Sequence, residues 1–310
     1  MKALRHKDLI SIFDLTGQEI QQILSVADDL KRTHRSGAPF TPLAHKTLAM
    51  IFEKPSLRTR VTFEAGMTQL GGHAIFLGPH DISLGVRESV ADIARNLERF
   101  VNGIMARTFS HETVLALARE TSIPVINGLT DKLHPCQVLS DCFTILEKLG
   151  RLAGVKVAFL GDGNNVAHSW IYAAARLGIH FSIACPAGYE PLADIVNEAR
   201  SEATSNIEVT HNMAEALEDA DILYTDVWAS MGQENEAEER RNVFAPYQLN
   251  AAALALAKPG ALVMHCLPAH RGEEITDEVL DGPQSIVLDQ AENRLHVQKA
   301  ILTLLMGARA

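Results

Sequence analysis

Aromatic residues are scarce, at 5% of the chain, and cysteine is scarcer, with four in 310 residues. Cys136, Cys142, Cys185 and Cys266 form no C-x-x-C pair and no dense framework. This excludes a disulfide-stapled scaffold and points to reduced thiols in the cytoplasm. Basic residues are in deficit: 28 Lys and Arg against 38 Asp and Glu leave a formal charge of −10. Non-specific nucleic-acid binding rests on neutralising phosphates, so no nucleic-acid partner is expected. A local basic pocket for a small anion stays compatible with that balance. No stretch approaches the roughly 18 apolar residues of a membrane span, so no membrane partner is expected. The opening MKALRHKDLISIFDL is interrupted by charges and lacks the apolar core of a signal segment.

What is present is a large apolar fraction, 47%, with 21% charged residues. That supports a sizeable core, and the length suits two domains of about 150 residues each. Short apolar runs alternate with longer helical patterns. Strands are predicted at Thr47–Phe52, Ala74–Leu77, Gly103–Met105, Pro124–Ile126, Lys156–Leu160, His180–Ala184, Glu208–Thr210, Ile222–Thr225, Ala261–Met264 and Ser285–Leu288. Amphipathic stretches lie between them, among them Val61–Leu70, Ser89–Phe100, Thr113–Arg119, Val138–Leu149 and Ser169–Leu177. The alternation predicts βαβ units: an α/β fold of two doubly wound parallel-sheet domains, joined by interdomain helices. The boundary is expected near residues 140–150, giving domains 1–145 and 146–288. The segment 289–310 reads as a helix that packs back onto the first domain.

The unusual residues cluster just after strands, where open α/β sheets bind ligands. Ser56-Leu57-Arg58-Thr59-Arg60 follows Thr47–Phe52 and opens a helical pattern. Ser56 reads as an N-cap without a capping box, since no Glu follows at the third helical position. Free N–H groups, hydroxyls and Arg side chains there suit a phosphate; a capped helix with a solvated Arg pair is the bland alternative. Gly161-Asp162-Gly163-Asn164-Asn165 follows Lys156–Leu160 and imitates half of a dinucleotide fingerprint. Val166 breaks G-x-G-x-x-G, and no acidic residue ends the next strand, so a nicotinamide reading has little support and no cofactor is expected. Two adjacent Asn side chains suit a ligand with amino or carboxylate groups.

His134-Pro135-Cys136-Gln137 offers an imidazole donor and an amide that binds on both sides; a capping His and a buried Gln would look the same. Asp226 ends strand Ile222–Thr225, with Ser230 four residues on, an arrangement that can hold an ammonium group. The charged run Gln233–Arg241 reads as a solvated helix face or loop. His265-Cys266-Leu267-Pro268 follows Ala261–Met264. Pro268 should keep Leu267 extended and aim its carbonyl at a ligand. His265, Cys266 and His270 match no usual zinc spacing, so no metal is expected.

Taken together, these motifs resemble the aspartate/ornithine carbamoyltransferase family, from Phe52-Glu53-Lys54 to Gln290-Ala291-Glu292-Asn293-Arg294. Ser56–Arg60 resembles the family's S-T-R-T-R phosphate motif, His134–Gln137 its H-P-x-Q, and His265–Pro268 its H-C-L-P. Asp226–Gly232 matches D-x-W-x-S-M-G, which separates ornithine-using members from aspartate-using ones. Two departures stand out: Leu57 replaces the usual Thr, and Ser83 stands where Gln or His is common.

The resemblance implies that carbamoyl phosphate and L-ornithine give L-citrulline and phosphate, in arginine biosynthesis. It implies a carbamoyl phosphate site of Ser56, Leu57, Arg58, Thr59, Ser83, Arg107, His134, Gln137, Cys266, Leu267 and Arg294. Asn165, Asp226, Ser230 and Met231 would hold ornithine. Cys266, Arg107, His134 and Asp226 would be catalytic. A homotrimer, or a multiple of trimers, is implied as well.

Overall fold

The computed structural model describes residues 4–82, 84–85, 87–229 and 236–307. The chain divides into two compact units, Met1–Phe143 with Glu292–Ala310, and Thr144–Ala291.

The first unit is built on α1 (Gly17–Ser36), β1 (Thr47–Phe52), α2 (Leu57–Gln69), β2 (His73–Leu77), α3 (Val90–Leu97), β3 (Gly103–Arg107), α4 (His111–Glu120) and β4 (Val125–Leu129). Its four strands are parallel in the order β2-β1-β3-β4. The central strands are apolar along their length because helices cover both faces. All of β3 is buried, and so is β1 after Thr47. Ile51, Ile104, Ala106, Val114, Leu117 and Val125 form one core cluster. The chain leaves this unit within α5 (Pro135–Leu149).

The second unit runs through β5 (Lys156–Leu160), α6 (Asn165–Leu177), β6 (His180–Ala184), α7 (Ala193–Glu202), β7 (Ile207–Thr210), α8 (Met213–Leu217) and β8 (Ile222–Thr225). It continues through α9 (Ala237–Phe244), α10 (Ala251–Leu254), β9 (Leu262–His265) and α11 (Asp277–Leu280). The parallel sheet order is β7-β6-β5-β8-β9. The last helix, α12 (Val287–Met306), starts in the second unit and belongs to the first from Glu292. The fold is therefore two parallel-sheet α/β units with chain crossings inside helices. Among the described residues, no helix is long and apolar enough to cross a membrane.

Two sequence expectations need correction. Ser285–Leu288 is not a strand. Ser285 makes a single bridge to Val263, and Ile286 donates to the Val263 carbonyl at 3.0 Å. The Ile286 carbonyl then accepts from Gln290 N–H at 2.9 Å, so helix bonding takes over and α12 starts at Val287 rather than Asp289. The sequence reading also lacked α1. Its signals are a capping box, Thr16 with Glu19, and a buried stripe of Ile20, Ile23, Leu24, Ala27 and Leu30.

The strand orders locate the ligand positions. In the first sheet the chain steps from β1 outward to β2 and returns to β3 on the other side. In the second it steps from β5 outward through β6 and β7, then returns to β8. Such switch points open a crevice at the carboxyl ends of the two diverging strands. These are the ends of β1 and β3, then of β5 and β8.

The turn after β5 depends on Gly163. Its N–H donates to the Tyr189 carbonyl at 2.9 Å. A Cβ there would lie 2.2 Å from Pro191 N and 2.4 Å from Glu190 C, both backbone atoms that cannot swing aside. Gly163→Ala should lower stability by about 3 kcal/mol, measured by thermal melting. Gly37→Ala, at φ +70° but with open surroundings, should cost about 1 kcal/mol. Equal melts for the two variants would contradict the close-approach argument.

Candidate active site

In the first unit, β1 ends into Ser56, the N-cap of α2, whose hydroxyl accepts from Thr59 N–H at 3.3 Å. No capping box forms, as the missing Glu predicted. The helix start presents the backbone of Leu57 and the half-buried side chain of Arg58. Thr59 is fully buried, and Arg294 of α12 donates to its hydroxyl through Nη2 at 2.8 Å. Arg60 turns away; it pairs with Glu64 at 3.0 Å and lies over the Phe76 ring. Leu57 is 74% exposed. It therefore contributes backbone, not packing, to this helix end.

Arg107 ends β3 and is buried. His134 precedes α5, where Pro135 opens the helix without needing its missing N–H. Burial holds His134 well below the usual imidazole range, and the charges of Arg294, Arg107 and Arg58 push it the same way. So three guanidinium groups act on one neutral imidazole, which can donate an N–H without carrying charge. Gln137 lies on the first turn of α5, buried, with Nε2 donating to Asp141 Oδ1 at 2.8 Å. Ser56, Arg58, Thr59, Arg107, His134, Gln137 and Arg294 all fall in this unit. Ser83 lies outside the described residues.

In the second unit, Asp226 follows β8 and is 8% exposed. Its Oδ1 accepts from Val227 N–H at 2.8 Å and from the Cys266 thiol at 2.9 Å. Its Oδ2 accepts from Asn164 Nδ2 at 2.9 Å. Asn164 is also the N-cap of α6: its Oδ1 accepts from Val166 and Ala167 N–H at 2.9 and 3.1 Å. One side chain thus ties the helix start to the carboxylate. Asn165 is the first residue of α6. Ser230 and Met231 lie outside the described residues.

The other three cysteines are poor nucleophile candidates. Burial pushes Cys136 and Cys185 up to about 12, and drives Cys142 upward as well. Cys266 is the one that is not buried.

The loop carrying Cys266 departs from expectation. Leu267 is not extended but has φ +58°, in the left-handed region. The cause is local: Leu267 N–H donates to His265 Nδ1 at 2.8 Å, which draws the chain into a tight turn. His265 Nε2 in turn meets buried Glu274 Oε1 at 2.9 Å, and His265 N–H donates to Gln290 Oε1 at 2.9 Å. The side-chain ligand atoms of Asp226, His265 and Cys266 lie within 4.8 Å of one another. Both His265 nitrogens are already engaged, and the Asp226–Cys266 contact is a hydrogen bond, so the set does not fit a metal centre.

The run Gln233–Arg241, read as solvated, is solvated only in part. Arg240 on α9 is buried, paired with Asp162, and donates to the Trp228 carbonyl. Its guanidinium lies over the Tyr189 and Phe244 rings, 4.8 and 5.1 Å from their centroids. Burial pushes the Asp162 carboxyl up to about 6, against the pull of Arg240. The sequence reading did not single out Asn164, Asp141, Arg240, His265, Glu274 or Gln290 as positioning groups. The adjacency of Asn164 to Asn165 and of His265 to Cys266 was the available signal.

The first unit carries the pattern of the aspartate/ornithine carbamoyltransferase carbamoyl-P binding domain, matched over residues 7–147, and the second that of the Asp/Orn binding domain, matched over 153–305. The chain belongs to the aspartate/ornithine carbamoyltransferase family. It is 56% identical over 300 residues to the ornithine carbamoyltransferase of Syntrophus aciditrophicus, covering 97% of this chain and 99% of that one. It is 52% identical over 308 residues to an anabolic ornithine carbamoyltransferase of Pyrococcus furiosus, covering 98% of each. A solved structure of ornithine carbamoyltransferase from Pyrococcus furiosus matches with a TM-score of 0.95 at 51% identity, covering 99% of both chains.

His134 generates a pH test. Unfolded, it takes up a proton near pH 6.5; folded, it stays neutral. Below that pH the unfolded state binds more protons, so stability falls with falling pH. At pH 5 this one group lowers stability. In denaturant titrations, His134→Gln should therefore lose measurably less stability than wild type between pH 7 and pH 5. Equal losses would mean that His134 is charged in the folded protein.

Proposed function

We propose that this chain is an ornithine carbamoyltransferase, moving the carbamoyl group of carbamoyl phosphate to L-ornithine to give L-citrulline and phosphate. The observation that carries the reading is the pair of built sites at the two switch points. One is cationic, with Thr59, Arg58, Arg107 and Arg294 around neutral His134. The other is anionic, with Asp226 held by Asn164, Val227 and Cys266.

In this reading, the hydroxyls of Ser56 and Thr59, the Leu57 N–H, Arg58 and Arg107 hold the phosphate, with Ser83 as a further contact. Helix N–H groups and bidentate guanidinium groups suit a dianion. Thr59, Arg107, His134 and Arg294 donate to the carbonyl oxygen as charge develops on it. Each such donor is worth about 3 kcal/mol of barrier. Gln137 and the carbonyls of Cys266 and Leu267 accept from the carbamoyl NH₂. Asp226, Ser230, Met231 and Asn165 grip the α-amino and carboxylate groups of ornithine.

The attacking side-chain amine has an ordinary pKa of about 10.4, so it must lose a proton before or during attack. The ammonium gives its first proton to solvent; the neutral nitrogen then bonds to the carbamoyl carbon, the bond from that carbon to the phosphate oxygen breaks, and the departing phosphate takes the second proton that the nitrogen sheds. Cys266, hydrogen-bonded to Asp226, assists that transfer without forming a covalent intermediate. Holding two polar substrates in register supplies much of the acceleration.

Biosynthetic direction is proposed by likeness to the relative named anabolic. A cytoplasmic location fits the reduced cysteines and acidic charge. A homotrimer, or a multiple of trimers, is proposed as the assembly. Exposed Leu57 and Val61 on α2 and exposed Ile75 on the edge strand β2 are apolar surface that self-association would cover.

The test is citrulline formation from carbamoyl phosphate with ornithine, set against carbamoylation of putrescine, acetylornithine and aspartate. Ornithine should exceed putrescine and acetylornithine at least ~100-fold in kcat/KM, because a site built to pair an α-amino group rejects ligands that leave it unpaired; aspartate, which has no side-chain amine to attack, should give no product above background. Equal use of putrescine would overturn the assignment of Asp226.

A further inference from the structure

We propose that Asp141 is a positioning residue that fixes which end of the Gln137 amide faces the substrate, and thereby selects a carbamoyl over an acetyl group. The inference rests on the reading of the first unit as the carbamoyl phosphate site. Gln137 and Asp141 lie four residues apart on α5, so their side chains share one face. Both are buried, at 1% and 0% exposure. Gln137 Nε2 donates to Asp141 Oδ1 at 2.8 Å. A carboxylate only accepts, so the amide is locked with its NH₂ toward Asp141 and its oxygen turned away. Among the described residues, Gln137 Oε1 is buried and accepts no hydrogen bond.

A lone buried acceptor discriminates by chemistry. A carbamoyl group presents NH₂ and satisfies Gln137 Oε1. An acetyl group presents methyl in the same place and leaves the oxygen desolvated without a donor, which is the costly case. A flipped amide would set donor against donor and reverse the preference. Without Asp141 nothing on α5 chooses between the two orientations. A plain helix-stabilising pair would predict no change in selectivity on its removal.

The experiment compares two non-hydrolysable ligands of nearly equal shape, phosphonoacetamide (NH₂) and acetonylphosphonate (CH₃), by calorimetric titration of the whole protein. Wild type should prefer the amide at least tenfold, about the value of one hydrogen bond. In Asp141→Leu, which removes the acceptor at similar volume, the preference should shrink about tenfold, with acetonylphosphonate affinity changed less than about twofold. Unchanged preference, or equal weakening of both ligands, would overturn the proposal. Wild type binding neither ligand would instead overturn the reading of the site.

Gln137→Glu supplies an independent signature that does not depend on Asp141→Leu folding. It sets two carboxylates side by side, which then share a proton as pH falls. Its affinity for phosphonoacetamide should rise from about pH 8 to about pH 5, relative to wild type. A profile parallel to that of wild type would show that residue 141 does not face residue 137.

Discussion

Arg58, Arg107 and Arg294 all act on the buried imidazole of His134 and, together with burial, hold it neutral. Gathering like charges beside a desolvated ring opposes folding, and much of the first unit serves to make it possible. β1 and β3 diverge at the switch point, so the α2 helix start and Arg107 emerge there. α12 returns to this unit and brings Arg294 against Thr59. The partial positive charge of the α2 N-terminus adds to the same field. Strained electrostatics of this kind concentrate at functional sites and are offset elsewhere in the core.

The second unit meets the opposite problem, a nearly buried carboxylate. Asp226 is satisfied by a backbone N–H, an amide and a thiol. Each donor is itself held: Asn164 by its capping bonds, and the Cys266 turn by His265, Glu274 and Gln290. Arg240 ties the Asp162 turn to the Trp228 carbonyl, so the segments flanking Asp226 are braced. The candidate side chains are thus held by hydrogen bonds and ion pairs, the kind of support that positioning catalysis requires.

Nine of the ten predicted strands form, because buried parallel strands are nearly continuous apolar runs. The tenth, Ser285–Leu288, had the same composition, yet the helix bonding that starts at Ile286 decided its fate. The candidate residues at strand ends stand out in the sequence because residue type and position agree. Their supports do not. Asp141 and Glu274 look like ordinary acidic residues until burial and a partner are known, and Arg240 sits in a run whose composition reads as solvated. Leu267 defeated the rule for residues before proline because His265 Nδ1 captures its N–H, a contact between neighbours that composition does not reveal.

The central claim is that the cationic cluster of the first unit is built for a phosphate group. It is tested most directly by thermal unfolding in inorganic phosphate. Phosphate at about 100 times its dissociation constant should stabilise wild type by about 2.7 kcal/mol, a rise of several degrees in Tm. Arg107→Met, which removes one guanidinium but keeps an apolar chain, should abolish most of that rise. A wild type insensitive to phosphate, or a variant that responds as wild type does, would contradict the account.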